Sequence, residues 1–122
     1  LSIRRELATR VDLAERHAEV HRALRESLQD PVCRSSTGVK TRGDGWTYFT
    51  HTYEFGERQR RLVLKEVHLR VVAPQALLYV FSGTDLLDNF PNFEPGFDAV
   101  LRSFRPAGER TDLRDGATSS GS

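Results

Sequence analysis

Apolar and polar positions alternate at first, then recur at helical spacing, then alternate again, and these changes of period mark the elements. Leu1, Ser2, Ile3 and Arg4 alternate, which predicts a half-buried strand over residues 1–5. Asp12 with Glu15 three residues on resembles a capping box, because the Asp12 carboxylate can accept from the free amides of a first helical turn. Leu13, His17, Val20, Leu24 and Leu28 then recur at helical spacing, and the charged Glu15, Arg16, Glu19, Arg22, Arg25 and Glu26 fill the other sides. Asp30-Pro31 ends this helix, since proline disfavours helical geometry in the residue before it.

Residues 34–38 read as a loop by composition. Residues 39–42 and 46–55 flank Gly43-Asp44-Gly45 and predict a hairpin, the second arm rich in Thr and aromatic residues as a pleated surface prefers. Gly56-Glu57-Arg58 predicts a second turn, leading into a long β-branched strand over residues 62–72. Residues 76–82 (ALLYVFS) are apolar on both faces, as in a central strand covered from both sides. Residues 83–92 are polar and contain proline, so they read as a loop. Pro95 suits the first turn of a second helix with a stripe of Phe97, Val100, Leu101 and Phe104, stopped by Pro106. The order strand, helix, several strands, helix predicts an α+β fold: an antiparallel meander with two amphipathic helices on opposite faces. One domain is expected over residues 1–106, with residues 107–122 a disordered polar tail.

Composition narrows the class without naming a chemistry. The 122 residues are 38% hydrophobic and 29% charged, with a net charge of +1, which excludes a wholly disordered chain and argues against nucleic acid as a partner. No apolar run approaches the ~18 residues of a membrane span, and no signal-peptide core stands at the start, so a cytoplasmic location is expected. Basic residues are almost all arginine, as in a GC-rich bacterial genome. A chain that opens mid-strand without methionine reads as a fragment or a processed product.

Candidate chemistry is sparse. Cys33 is the sole cysteine, with no base among its neighbours, and reads as a small hydrophobe. His17 and His21 stand four apart, but HAEVH lacks the glutamate of a zinc-protease helix, and His17 lies in the apolar stripe, where a hydrogen-bonded imidazole is the plainer account. His51 and His68 alternate with apolar residues on paired strands; they either pack across the strands or share a cleft with Glu66, and no serine or cysteine partner is evident. Asp85 and Asp88 lack the spacing of a calcium loop and suit a turn. The cluster Arg58, Arg60 and Arg61, beside Glu54 and Glu57, reads as a solvated hairpin tip. The larger resource is eleven aromatic residues. Alternation sets Trp46 and Tyr48 on one sheet face and Phe49, Tyr53 and Phe55 on the other. Phe90 and Phe93 fall in the loop reading NFPNFEP, and Leu86-Leu87 precede them as an exposed docking point.

The succession LSIRREL, DLAERHAEVHRALRESL, GDGWTYFTHTYEF, RLVLKEVHLRVVA, ALLYVFSGT and FDAVLRSFRP resembles the DcrB/PsbP/Mog-type domains over about residues 1–106. The most family-like stretch is 97–106, where an aromatic, then Val100-Leu101, then Ser103-Phe104 match a common closing helix. This superfamily includes bacterial lipoproteins, an extrinsic photosystem subunit, a Ran-binding protein and the Eag-type chaperones that load type VI secretion effectors. The resemblance implies an α/β/α sandwich that holds another protein and uses no cofactor. Such domains usually begin with a further strand or hairpin before the one matching residues 1–5; the expectation is that the chain is truncated or that another segment supplies that strand, by edge capture of a partner or a second copy. The resulting expectation is a non-catalytic adaptor or chaperone-like module, without metal, that binds a protein (a secreted effector, a complex subunit or its own copy) through Trp46, Tyr48, Leu86, Leu87, Phe90 and Phe93. The alternative is a small enzyme or ligand-binding domain with His51 and His68 in a cleft.

Overall fold

A computed structural model describes residues 1–7, 12–43, 45–72 and 76–105. The expected tail at 107–122 and the helix stop at Pro106 lie outside the described residues. Strand β1 (Ser2–Leu7) precedes helix α1 (Leu13–Ser27), then β2 (Gln29–Ser36), β3 (Lys40–Thr41), β4 (Thr47–Glu57), β5 (Arg60–Val71), β6 (Leu77–Leu86) and α2 (Phe90–Ser103). The strands form one antiparallel sheet in the order β1-β6-β5-β4-β2, with β3 also on β4. The fold is α+β, as the period of the sequence predicts.

Alternation along the strands gives the sheet two different faces. Leu77, Tyr79 and Phe81 of β6 with Val67, Leu69 and Val71 of β5 form one cluster with Trp46 and Phe97, against which Tyr48, Phe93, Leu101 and Phe104 pack. That is the α2 face. Leu78 and Val80 point the other way and join Phe49, Leu13 and Val20 in a smaller cluster under α1. The two helices therefore cover opposite faces, and β6 is apolar on both.

Local chemistry explains the boundaries. Asp12 caps α1, its Oδ1 accepting from Ala14 N at 2.9 Å and Glu15 N at 3.4 Å. The β3–β4 turn closes through Gly45, whose φ of +92° favours glycine.

Three sequence expectations are corrected. Residues 34–38 are not a loop throughout: β2 runs from Gln29 to Ser36, starting directly after Leu28, the extended cap that follows α1. Pro31 fits there because β2 is an edge strand, where an amide can be spared. The turn between β4 and β5 falls at Arg58-Gln59, both at positive φ (51° and 64°), while Gly56 stays inside β4. Residues 83–92 form a connection only over 87–89, because β6 continues to Leu86 and α2 begins at Phe90, with Pro91 rather than Pro95 in the first turn.

Candidate functional site

The six expected partner-binding residues do not form one exposed lip. Trp46 is 6% exposed, and Arg42 lies over its ring at 4.8 Å while donating to the Leu101 and Phe104 carbonyls at the end of α2. Tyr48 is half-buried against the same cluster. Phe90 and Phe93 stand on the first turns of α2: Phe90 is 4% exposed, and Phe93 packs between it and Phe97 with ring separations of 5.8 and 6.0 Å. These aromatics cover the sheet of their own chain. Leu87 is half-buried, its amide donating to the Arg61 carbonyl, and Leu86 is exposed at the end of β6.

On the opposite face the topology gathers all four histidines. His17 and His21 reach down from α1, while His51 (β4) and His68 (β5) point up from the sheet, all but buried. Ring centroids of His17 and His51 are 4.5 Å apart, and those of His21 and His51 are 5.0 Å apart. His51 and His68 do not share a cleft, because Phe49 lies between them, stacked on His68 at 4.7 Å and tilted against His51 at 5.3 Å. A groove of about 600 Å³ runs along α1 over His17 and His21, between Arg22, Arg25 and Glu26, and neither His51 nor His68 lines it.

Ser36 is the residue that sequence reasoning missed. A register shift in β2 between Cys33 and Ser35 brings Cys33 opposite Tyr53 and Ser36 opposite His51, both on the α1 side. In an unbroken strand, residues three apart would face opposite sides. No sequence signal marks this bulge.

The partners fix the tautomers. His51 Nε2 lies 3.3 Å from the His17 carbonyl, which can only accept, so Nε2 carries the proton. His51 Nδ1 therefore accepts from the Ser36 hydroxyl at 2.9 Å, and His17 Nε2 donates to that oxygen at 3.3 Å. His68 Nε2 donates to Glu66 at 2.7 Å, and its Nδ1 accepts from Arg16 Nε at 2.8 Å. Arg16 also pairs with Glu6 of β1 at 3.3 Å, and the Tyr53 hydroxyl meets His21 Nδ1 at 3.1 Å.

Protonation follows from this packing. Burial pushes His51 down to about 4, against a weaker upward pull from the His17 carbonyl and with help from the His17, His21 and His68 charges. Burial, then the Arg25 and His17 charges, hold His21 below its usual 6.5. Burial and then Cys33 push the Tyr53 hydroxyl up. Burial would raise Glu6, but the Arg4 hydrogen bond and the Arg16 charge outweigh it and leave the carboxyl below its usual 4.5. Among the described residues, no group of three or more His, Cys, Asp or Glu side chains is placed to hold a metal ion.

The sheet edges differ as sharply as its faces. On β2 the edge carries Pro31, a left-handed Asp30 (φ 47°) and two register shifts, features that discourage another strand from pairing. On β1 the edge is regular, paired one-to-one with β6 from Ser2↔Ser82 to Leu7↔Leu77, and its residues 2–5 are exposed. Leu1 and Ile3 are 54% and 46% exposed, and Ile3 shares the α2 face with its partner Phe81. Among the described residues, no helix is long and apolar enough to cross a membrane.

No protein-family model matches the chain, and no curated protein does. Among solved structures, the chain is similar to the crystal structure of PA94 from Pseudomonas aeruginosa, a protein of unknown function suggested to be a regulator. The TM-score is 0.68 at 17% identity, over 85% of this chain and 69% of that one. The likeness is one of fold.

Proposed function

We propose that this chain is a non-catalytic protein-binding module, adaptor or chaperone-like, that takes an extended segment of a partner polypeptide along the outer edge of β1. The observation that carries the reading is the contrast between the two edges: β2 is bulged and proline-bearing, whereas β1 is regular and flanked by exposed Leu1 and Ile3. A strand added there would gain main-chain hydrogen bonds along β1, and the apolar side chains on the α2 face would select its alternate residues. The resemblance to the superfamily that includes effector-loading chaperones points the same way, and a secreted effector, a complex subunit or a second copy are the partners in view. The expected aromatic lip is not part of the reading, since Trp46, Phe90 and Phe93 serve the chain's own core. Catalysis by His51 and His68 in a shared cleft draws no support from the geometry, because Phe49 parts them and α1 covers them.

The test is fluorescence-anisotropy binding of labelled β-strand peptides with alternating apolar residues. Ile3→Lys should weaken the best binder tenfold or more, while the urea midpoint shifts little, since exposed substitutions cost within about 0.5 kcal/mol. An unchanged affinity in folded Ile3→Lys protein would sink the edge-capture reading. A His51→Gln/His68→Gln variant should bind the same peptide as well as the parent.

A further inference from the structure

The histidine seam has a second consequence, independent of the β1 edge. His68 Nδ1 can accept from Arg16 only while the imidazole is neutral, because Arg16 is a donor with no lone pair to offer in return. A proton on Nδ1 sets two donors head to head across the interface between α1 and β5. The Glu66 carboxylate accepts from Nε2 in either state. His51 obeys the same logic more weakly, as Ser36 can rotate to accept, but the added charge would lie within 5.0 Å of two further imidazole rings on α1.

We propose that α1 is an acid-released latch: protonating the imidazole seam detaches this helix from the sheet and uncovers Phe49, Leu78 and Val80, while the strands and α2 stay folded.

The charged neighbours are arranged for that outcome. From α1, Arg16, His17, His21 and Arg25 all face the seam or flank it. From the sheet come Glu6 on β1 and Glu66 on β5, with the neutral Cys33 and Ser36 on β2 and Tyr53 on β4. Glu6 pairs with Arg16 at 3.3 Å and keeps its charge to below its usual range, so this ion pair is the polar contact that opposes release. The apolar cluster under α1 is also the smaller of the two, which leaves less to hold the helix once the seam is charged.

The sign is set by His51. Its proton affinity is lower in the closed structure (about 4) than when open (usual 6.5), so the open state binds more protons within that window. Closure is complete above the window, weakens as pH falls through it and loses nothing further from His51 below it. His21, shifted the same way, adds to the slope.

Amide hydrogen exchange, corrected for the intrinsic pH dependence and followed from pH 7.5 to 4.5, tests the proposal. Protection in α1 should fall by about tenfold per pH unit for each imidazole protonated on opening. Protection in the centres of β5 and β6 should hold, and 8-anilinonaphthalene-1-sulfonate should bind as α1 opens. In His51→Gln/His68→Gln protein, whose introduced amides cannot titrate, α1 should lose clearly less protection by pH 4.5 than in the parent, the remaining slope coming from His21. Simultaneous loss in α1 and β6, undiminished α1 protection at pH 4.5, or a parental pH profile in the folded double variant would each overturn it. Should that variant not fold, the parental profile decides, because local loss supports the latch and uniform loss refutes it.

Discussion

Gly83 shows how single residues set the geometry. It lies on β6 where α2 crosses, and a Cβ there would run into the Phe93 ring and come within 3.2 Å of Phe97 Cδ2. Gly83→Ala should therefore cost about 1–3 kcal/mol in urea unfolding, the usual range for overpacking. Because the obstruction is one half-buried ring, adding Phe93→Leu should recover part of the loss; full additivity of the two substitutions would show that Phe93 is not the obstacle. The sequence alone reads Gly83 as the start of a loop, since glycine more often marks a turn than a close approach. Gly56 misleads in the same way. It lies in β4, and the turn two residues on is made by Arg58 and Gln59 in left-handed conformations that β-turn statistics assign to Asn and Gly. Position along an apolar stripe carries more information than such local signals: Phe90, Phe93, Phe97, Leu101 and Phe104 keep helical spacing across Pro95, which is enough to move the start of α2 back to Phe90. The Asp12 cap was legible because its chemistry is local, whereas Ser36 was not, because its partner is fifteen residues away across a bulge.

At the scale of the element, α2 is pinned at both ends by polar contacts around an apolar middle. Arg42 caps its last carbonyls, and near its start Lys65 of β5 meets Glu94 at 2.9 Å and Asp98 at 2.6 Å, with the Lys65 ammonium over the Phe97 ring at 5.4 Å. Burial alone would push the Lys65 ammonium down, but hydrogen bonds and charge from Asp98 and Glu94 outweigh it and hold it above its usual 10.5. The stabilisation this gives is present below that value and is lost as pH rises through the raised one. Glu94→Gln/Asp98→Asn should cost about 1–3 kcal/mol by leaving a nearly buried cation without its anions. That is below the range for fully buried pairs, because the two carboxylate side chains are 39% and 37% exposed. Lys65→Met should be close to neutral at pH 7 and should remove the parent's loss of stability above pH 10.5. A double carboxamide variant as stable as the parent would show that the triplet adds nothing. Existence, type and order of α1, β4, β5, β6 and α2 were legible from period alone; β2 was not, because an exposed edge strand carries no apolar alternation for a sequence to show.

For the molecule as a whole, the topology makes β1 the guard of β6. Strands β4, β5 and β6 lie side by side in sequence order, whereas β1 closes β6 from outside that run, across the sheet from where β2 ends it. Strand β6 is buried along Leu77–Phe81 on both faces, so without β1 it would present a flat apolar edge with an unpaired row of main-chain groups. Deleting residues 1–7 should therefore leave a folded but lower-melting protein that associates with rising concentration, detectable by sedimentation velocity. The segment is exposed over residues 2–5 and adds little side-chain burial there, so its value lies mainly in the hydrogen bonds it supplies to β6. Adding the free peptide LSIRREL should restore the monomer, because the same register pairs Ile3 with Phe81 and Arg5 with Tyr79 whether or not the strand is covalently joined. A scrambled peptide that keeps the composition but breaks the alternation should fail. If the shortened protein stays monomeric at high concentration with an unchanged melting temperature, β6 does not need its neighbour and the sheet's capacity to take a strand at this edge loses its physical basis.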